Sequence, residues 1–516
     1  MVYRSPLPDV DIPDVALTPF VLERGAERRD KVALVDATSG RTIRYGELAE
    51  GVRRVAGGLC ARGFGKGDVL SIYSPNVPEY AIAFHAVASL GGIVHPANPL
   101  LTTDELRFQL CDSAARFILT VPPLVEKARE AAAGANVEDV IVFGERSFAG
   151  LLETDEEPPS VSIEPAEDVV TLPYSSGTTG MCKGVMLTHR NVVANLCQLG
   201  AHLGTDENEV ALGVLPFFHI YGLVVVLNNA LRQGGTVVTM PRFDLAGALG
   251  AIQEHRITHA FVVPPIVLAL ARHPVVDNYD LSSVDMVMSG AAPLSAELEQ
   301  ECAERVGAGF RQGYGMTEAS PVTHMVPFAP GWERPGSVGP PVPNSEVTLV
   351  DPASGTPVEP GELGEVWVRG PHVMTGYLGN EEATALTIDA EGWLHTGDLG
   401  VVDDDGYLTV VDRLKELIKV KAYQVAPAEL EAVLLTHPAV ADAAVVPTPD
   451  EEAGEVPTAY VVLREECEPD EIVSFVAERV APYKRIRRCE VIDEIPKSAS
   501  GKILRRVLVE QERARV

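Results

Sequence analysis

Between Tyr174 and Gly184 the chain sets four small hydroxyl side chains (Ser175, Ser176, Thr178 and Thr179), three glycines (Gly177, Gly180 and Gly184) and Lys183. Glycine lets a backbone turn sharply and approach a ligand closely. Successive backbone N–H groups and hydroxyls can then converge on one concavity that suits phosphate oxygens. Lys183 adds a mobile point charge for the same anion. Composition alone also fits a flexible hairpin loop. The nucleotide-triphosphatase P-loop is excluded, because that pattern ends in Gly-Lys-Ser/Thr. Here Cys182 precedes the lysine and Gly184 follows it.

The flanks of this loop read as strands: Val169-Val170-Thr171-Leu172 before it and Val185-Met186-Leu187-Thr188 after it. Elsewhere strand and helix patterns alternate. Asp68–Ser74 reads as a strand, Val77–Ala88 as a helix and Gly91–Pro96 as a return to strand. The order recurs at Thr236–Met240, Leu245–His255 and Thr258–Val263, and again at Val284–Met288. Such alternation predicts an α/β fold, a parallel sheet covered by helices. Ligands of such sheets sit at the carboxyl ends of strands, where Ser289-Gly290-Ala291 and Gln312-Gly313-Tyr314-Gly315 fall. After Val338 the strands shorten and Gly and Pro punctuate them, which predicts a small antiparallel β subdomain. A compact α+β segment follows, and the domain boundary is set at Asp412–Lys415. The expected domains are 1–412 and 413–516.

At 516 residues the chain exceeds the roughly 250–300 at which one core stops growing, so two or more domains are expected. Its net charge of −31 argues against nucleic acid and anionic membrane surfaces as partners. That charge is uneven: residues 413–516 carry 16 basic and 19 acidic residues, leaving −28 on the rest. Lysine is scarce, with none between Lys183 and Lys415, yet Lys415, Lys419, Lys421, Lys497 and Lys502 gather toward the end. The seven cysteines form no CxxC pair and no zinc spacing, which fits a reducing compartment. No signal peptide or membrane span is evident, so a cytoplasmic protein is expected.

Six motifs then follow in order. They are the 174–184 loop, Pro216-Phe217-Phe218-His219-Ile220-Tyr221-Gly222, Gly313-Tyr314-Gly315-Met316-Thr317-Glu318 and Thr396-Gly397-Asp398, then Arg413-Leu414-Lys415-Glu416-Leu417-Ile418-Lys419 and Pro496-Lys497-Ser498-Ala499-Ser500-Gly501-Lys502. Together they resemble the adenylate-forming superfamily of acyl-CoA synthetases over essentially the whole chain. Phe218-His219-Ile220-Tyr221 and Tyr423-Gln424-Val425-Ala426-Pro427 resemble the 4-coumarate–CoA ligases most.

The resemblance implies two steps: a carboxylate attacks the α-phosphate of Mg-ATP, and coenzyme A then displaces AMP to give a thioester. It implies roles residue by residue. Ser175, Ser176, Gly177, Thr178, Thr179, Gly180 and Lys183 hold the β- and γ-phosphates. Thr317 binds phosphate, and Glu318 holds Mg²⁺ through a hard carboxylate oxygen. Tyr314 faces the adenine, with Ala291, Gln312 and Gly313 against the nucleotide, and Asp398 and Arg413 bind the ribose. Lys502 bridges carboxylate and α-phosphate from a mobile lid hinged at Lys415. Lys419 and Gln424 approach the adenylate. Arg242, Lys421 and Ala422 contact coenzyme A, and His219 meets or gates the acyl carboxylate. The acyl pocket is Tyr221, Met288, Ser289, Gly290, Gly313, Gly315, Met316, Pro321, Val322 and Met325.

Two positions depart from the family pattern. Cys182 replaces a usual proline, which predicts a less rigid loop. Ala422 replaces a usual glycine, which predicts weaker use of coenzyme A. Val224 and Val225 occupy a region that is polar in the plant enzymes. The expected substrate is an aryl-propenoic acid of the cinnamate/4-coumarate kind, with cinnamate accepted at least as well as 4-coumarate. The alternatives are a medium-chain fatty acid, or delivery of the acyl group to another acceptor. Carboxylic acid, ATP and coenzyme A are the expected partners, and the chain is expected to be a monomer or homodimer. An adenylation domain of peptide synthesis is disfavoured, since Phe217–Gly222 lacks an acidic residue for an α-amino group. A luciferase-like oxygenase shares the first step. A non-catalytic nucleotide binder is disfavoured because Lys183, Glu318 and Lys502 are all present.

Overall fold

The computed structural model describes residues 1–175, 182–421, 423–450, 453–498 and 501–515. Two eight-stranded sheets carry the first three-quarters of the chain. One runs in the order Gly376–Tyr377, Lys183–Thr188, Val169–Thr171, Ile93–Ala97, Val69–Tyr73, Ala115–Thr120 and Asp139–Val142, with Tyr174–Ser175 pairing off Lys183–Thr188. Its centre is parallel and the edge nearest the loop is antiparallel. The second runs from Val322–Met325 through Gly309–Gly315, Met286–Ser289, His259–Val262, Val210–Gly213 and Thr236–Thr239 to Val32–Asp36 and Thr42–Arg44. Its central strands are also parallel, as the alternation predicts.

Buried strands such as Val69–Tyr73, apolar at almost every position, need cover on both faces. Helices Leu17–Ala26, Tyr45–Ala61 and Glu79–Ser89 supply it, joining both sheets into one apolar core. Asn76 fastens the sheets where the site will lie. Its amide donates to the Gly213 and Leu215 carbonyls, and its own carbonyl accepts the Phe217 N–H. The Tyr80 ring meets Phe217 edge-on at 5.6 Å. The aromatic loop that carries His219 is therefore held from the neighbouring sheet.

Tyr221–Asn228 forms a π-helix, which the sequence reading did not foresee. Gly222 is required at its start, since a Cβ there would lie 2.2 Å from the Pro216 carbonyl oxygen. A five-stranded antiparallel sheet follows, Tyr3–Arg4, Glu346–Val350, Gly364–Arg369, Leu394–Val402 and Leu408–Arg413. The extreme N-terminus thus pairs with residues more than 300 positions away. A last five-stranded sheet begins at Ile418–Val420 and has its own apolar core around Val445, Val461 and Ile472. Strand membership changes between Arg413 and Ile418, beside exposed Lys415. No helix among the described residues is long and apolar enough to cross a membrane.

Candidate active site

Parallel pairing of Met286–Ser289 with Gly309–Gly315 sets Ser289 opposite Gln312, so both strands end at one rim. Beyond that rim Ala291 takes a left-handed conformation (φ 72°), which an L side chain adopts at a cost. Gly315 is forced, because a Cβ would lie 2.0 Å from the Pro321 carbonyl oxygen. The Gln312 carboxamide is occupied below the rim: it donates to Glu299 Oε2 at 2.6 Å and to the Leu294 carbonyl at 3.3 Å.

Tyr314 leaves the same strand and donates its hydroxyl to Asp398 Oδ2 at 2.6 Å. Asp398, 7% exposed, lies on the strand Leu394–Val402, and its Oδ1 faces Arg413 Nε at 3.3 Å. Burial pushes the Asp398 carboxyl up, and Arg413 offsets part of that rise. Burial opposes the charge of Arg413, yet Asp398 and Glu416 hold its pKa above the usual value. The three side chains form one patch beside the rim in which the Asp398 carboxylate accepts from Tyr314 and faces the Arg413 guanidinium.

Lys502 joins them from the last sheet's domain. Its turn is closed by the Lys502 N–H donating to Ser498 Oγ and the Gly501 N–H donating to the Ser498 carbonyl. A Cβ on Gly501 would lie 3.1 Å from Val263 Cγ2, so this turn rests on the end of the His259–Val262 strand. Burial and then Arg413 push the Lys502 ammonium pKa down, while Asp398, Glu318 and Glu416 pull it back. His219 also feels this lysine. Burial first, and Lys502 second, lower its pKa to about 3. The ring is thus neutral, and Nδ1 accepts the Tyr221 N–H at 3.2 Å. The ring proton accordingly sits on Nε2, which is left as a donor.

Glu318 lies in the short 3₁₀ turn Thr317–Ala319 and is 6% exposed. Its Oε1 accepts the Tyr377 hydroxyl at 2.9 Å. Lys183, paired with Ser175 across the antiparallel edge, holds its ammonium 4.2 Å from the Tyr377 ring centroid. A carboxylate with one oxygen held and the other without a partner among the described residues is a suitable hard ligand for Mg²⁺.

Behind the rim, Tyr221, Met288, Gly290, Pro321, Val322 and Met325 are buried, while Gly313, Gly315 and Met316 are half-buried. Tyr221 donates its hydroxyl to the Met288 carbonyl, and Gly290 leaves its Cβ space to the Tyr221 ring at 3.3 Å. Val224 and Val225 are fully buried on the π-helix.

Ser175, Lys183, His219, Tyr314, Thr317, Glu318, Asp398, Arg413 and Lys502 therefore lie on elements that meet at one mouth. Ser176, Gly177, Thr178, Thr179, Gly180 and Ala422 lie outside the described residues. Lys419, Lys421 and Gln424 are exposed on a hairpin in which Lys419 faces Gln424 across the register, and Arg242 is exposed on a separate loop. Cys182 Sγ sits 3.4 Å from the Gln109 amide nitrogen. Tyr377 was missed by the sequence reading. Gly376-Tyr377-Leu378-Gly379 reads as an ordinary turn, and nothing local reports a partner 59 positions away.

The family profile described as AMP-binding enzyme matches residues 21–378, and that of the AMP-binding enzyme C-terminal domain matches 429–502. The chain is 46% identical to 4-coumarate–CoA ligase 5 of Oryza sativa subsp. japonica, over 98% of this chain and 96% of that relative. It is 45% identical to 4-coumarate–CoA ligase of Pinus taeda, over 98% and 97% respectively. Among solved structures it is similar to the anthranilate CoA ligase AuaEII in complex with anthranoyl-AMP, with a TM-score of 0.91 at 27% identity, covering 98% of each chain. ATP-bound MatB from Rhodopseudomonas palustris gives 0.88 and apo MatB 0.77, both at 28% identity with 97% of this chain and 99% of that one covered.

Proposed function

Because the chain belongs to the AMP-binding enzyme family, we propose that it is an ATP-dependent carboxylic acid–CoA ligase acting through an acyl-adenylate. The observation that carries this reading is the convergence of Lys502 and His219 on one mouth with Asp398 and Arg413, which pair across adjacent strands of one sheet. In the first step a carboxylate oxygen of the acid bonds to the α-phosphorus of ATP, the bond to the β-phosphate oxygen breaks, and pyrophosphate leaves. Little covalent work is asked of the protein, so charge stabilisation and positioning dominate. Lys502 stabilises the charge gathered between carboxylate and α-phosphate. His219 Nε2–H orients the acid, and Asp398 and Arg413 hold the ribose. Tyr314 and the rim from Ala291 to Gly313 receive the adenine, and Thr317 and the 175–180 loop with Lys183 receive phosphate. Glu318 would hold Mg²⁺, which when bound would supply counter-charge to the phosphates.

In the second step the sulfur of coenzyme A bonds to the acyl carbon, AMP leaves, and the thiol proton is released. Lys502 lies at the site while Lys419, Lys421 and Gln424 are exposed, which supports a lid that turns between the two steps. We assign residues 1–412 to a body and 413–516 to a lid hinged at Lys415. Rotation would bring Lys419 and Gln424 to the adenylate, and Lys421 and Ala422 to coenzyme A with Arg242. The better fit to ATP-bound than to apo MatB supports an orientation suited to the first step.

The named relatives support an aryl-propenoic acid of the cinnamate/4-coumarate kind, and the fully buried Val224 and Val225 favour an unsubstituted ring. Seven free cysteines support a reducing, cytoplasmic setting.

The test is exchange of labelled pyrophosphate into ATP with cinnamate, then AMP release with coenzyme A. Acid-dependent exchange is expected, with Lys502→Ala about a hundred- to a thousandfold slower. Exchange without coenzyme A-dependent AMP release would assign a different acceptor, and no exchange with any acid would refute the ligase reading.

A further inference from the structure

Tyr377 lies on a two-residue strand that straps two parts of the site together. Its neighbours bind both sides through the backbone: Met374 N–H donates to the Glu318 carbonyl, Thr375 N–H to Met186 and Leu378 N–H to Gly184. The side chain sits between the two groups of opposite charge. Its hydroxyl donates to Glu318 Oε1 at 2.9 Å, and its face takes the Lys183 ammonium at 4.2 Å from the centroid. Tyr377 is only 6% exposed, so water does not separate these groups by itself.

Left to themselves, an ammonium and a carboxylate at one site pair and cancel. Among the described residues, no ion pair joins Lys183 to Glu318. We infer that Tyr377 is a positioning residue that keeps the phosphate-binding lysine and the metal-binding carboxylate apart and ready. Its ring holds Lys183 by a cation–π contact, which desolvation strengthens and phosphate oxygens can displace. Its hydroxyl fixes Glu318 through one oxygen and leaves the other for a hard cation. An ion pair in its place would have to be broken each time nucleotide bound. The inference rests on the proposed ligase reading and adds a residue that its motifs do not contain.

Two substitutions separate the two halves of this role. Tyr377→Phe keeps the ring and removes the hydroxyl. Tyr377→Leu removes both and lets Lys183 reach Glu318. Calorimetric titration reads the affinity for ATP with Mg²⁺ and for ATP in excess EDTA. Tyr377→Phe is expected to weaken Mg-ATP binding about tenfold and leave metal-free ATP unchanged, since a hydrogen bond to a charged group is lost. Tyr377→Leu is expected to weaken both. If Tyr377→Phe binds both forms as the unsubstituted protein does, Tyr377 is packing only and the inference falls alone. Loss of both forms equally in Tyr377→Phe would likewise overturn it. Absence of ATP binding by the unsubstituted protein would overturn the ligase reading as well.

Discussion

His219 shows how much one acceptor settles. Because Nδ1 takes a backbone N–H two residues on, the neutral ring keeps its only proton on Nε2. The sequence offered the histidine and its aromatic neighbours, but the tautomer depends on a turn geometry that no motif states. Glu209 is a residue-scale feature outside the site. It is 2% exposed, neither carboxyl oxygen has a hydrogen-bond partner among the described residues, and burial raises its pKa to about 8. The unfolded chain releases this proton near 4.5, and the folded chain holds it to about 8. The associated stability is therefore complete below the lower value and lost as pH rises through that window. Glu209→Gln, neutral at every pH, should melt progressively higher than the parent between pH 5 and pH 8. A melting difference that does not change over that range would contradict the assignment.

Among the elements, those built by period and punctuation were legible. Leu245–His255 has the bounds its apolar spacing predicts, and Val69–Tyr73 and His259–Val262 differ from the expected strands only at the ends. The π-helix was not legible, because Leu223-Val224-Val225-Val226-Leu227 is apolar at every position and carries no period. Its wider turn is set by Gly222 against Pro216 and by the Asn76 clamp on the preceding loop. In the proposed ligase this helix would wall the acyl pocket, and that has a measurable consequence. With no hydroxyl acceptor or donor contributed by Val224 or Val225, a phenol hydroxyl loses its water and gains nothing. The ratio of kcat/KM for cinnamate over 4-coumarate should be at or above one; a ratio of roughly a tenth or below would show that another wall supplies the partner.

At the scale of the molecule, the lysines gathered near the C-terminus and the break in charge balance marked the segment after 412. What they hid was how Lys502 is delivered. Arg505, three positions on, donates to Glu416 at 2.8 Å and to both oxygens of Glu431 at 2.7 Å. Burial raises the Glu431 pKa to about 7, and Arg505 offsets part of that rise. These partners lie 89 and 74 positions from Arg505 in sequence, beyond any local pattern. The paired fork fixes the start of the terminal helix, and with it the Lys502 turn, against the turn that holds Glu416 and the helix Pro427–Leu435 that carries Glu431. Lysine keeps the charge but not the fork. Arg505→Lys should slow acid-dependent pyrophosphate exchange about tenfold while ATP affinity holds. Equal loss of both would make Arg505 a general structural support.

Arg413 belongs to the same chain of alternating charge, with Asp398 at 3.3 Å on one side and Glu416 at 3.7 Å on the other. The second contact is the longer one, Arg413 is 40% exposed there, and the proposed hinge residue Lys415 falls between the two partners. An exposed pair of that kind is worth about 0–1 kcal/mol. Turning the lid about Lys415 would release the weak rung and leave Arg413 on Asp398. Electrostatic friction at the pivot is therefore small. In the proposed cycle the orientation would be left to whatever occupies the mouth, and the two half-reactions would be sequenced by their own reactants.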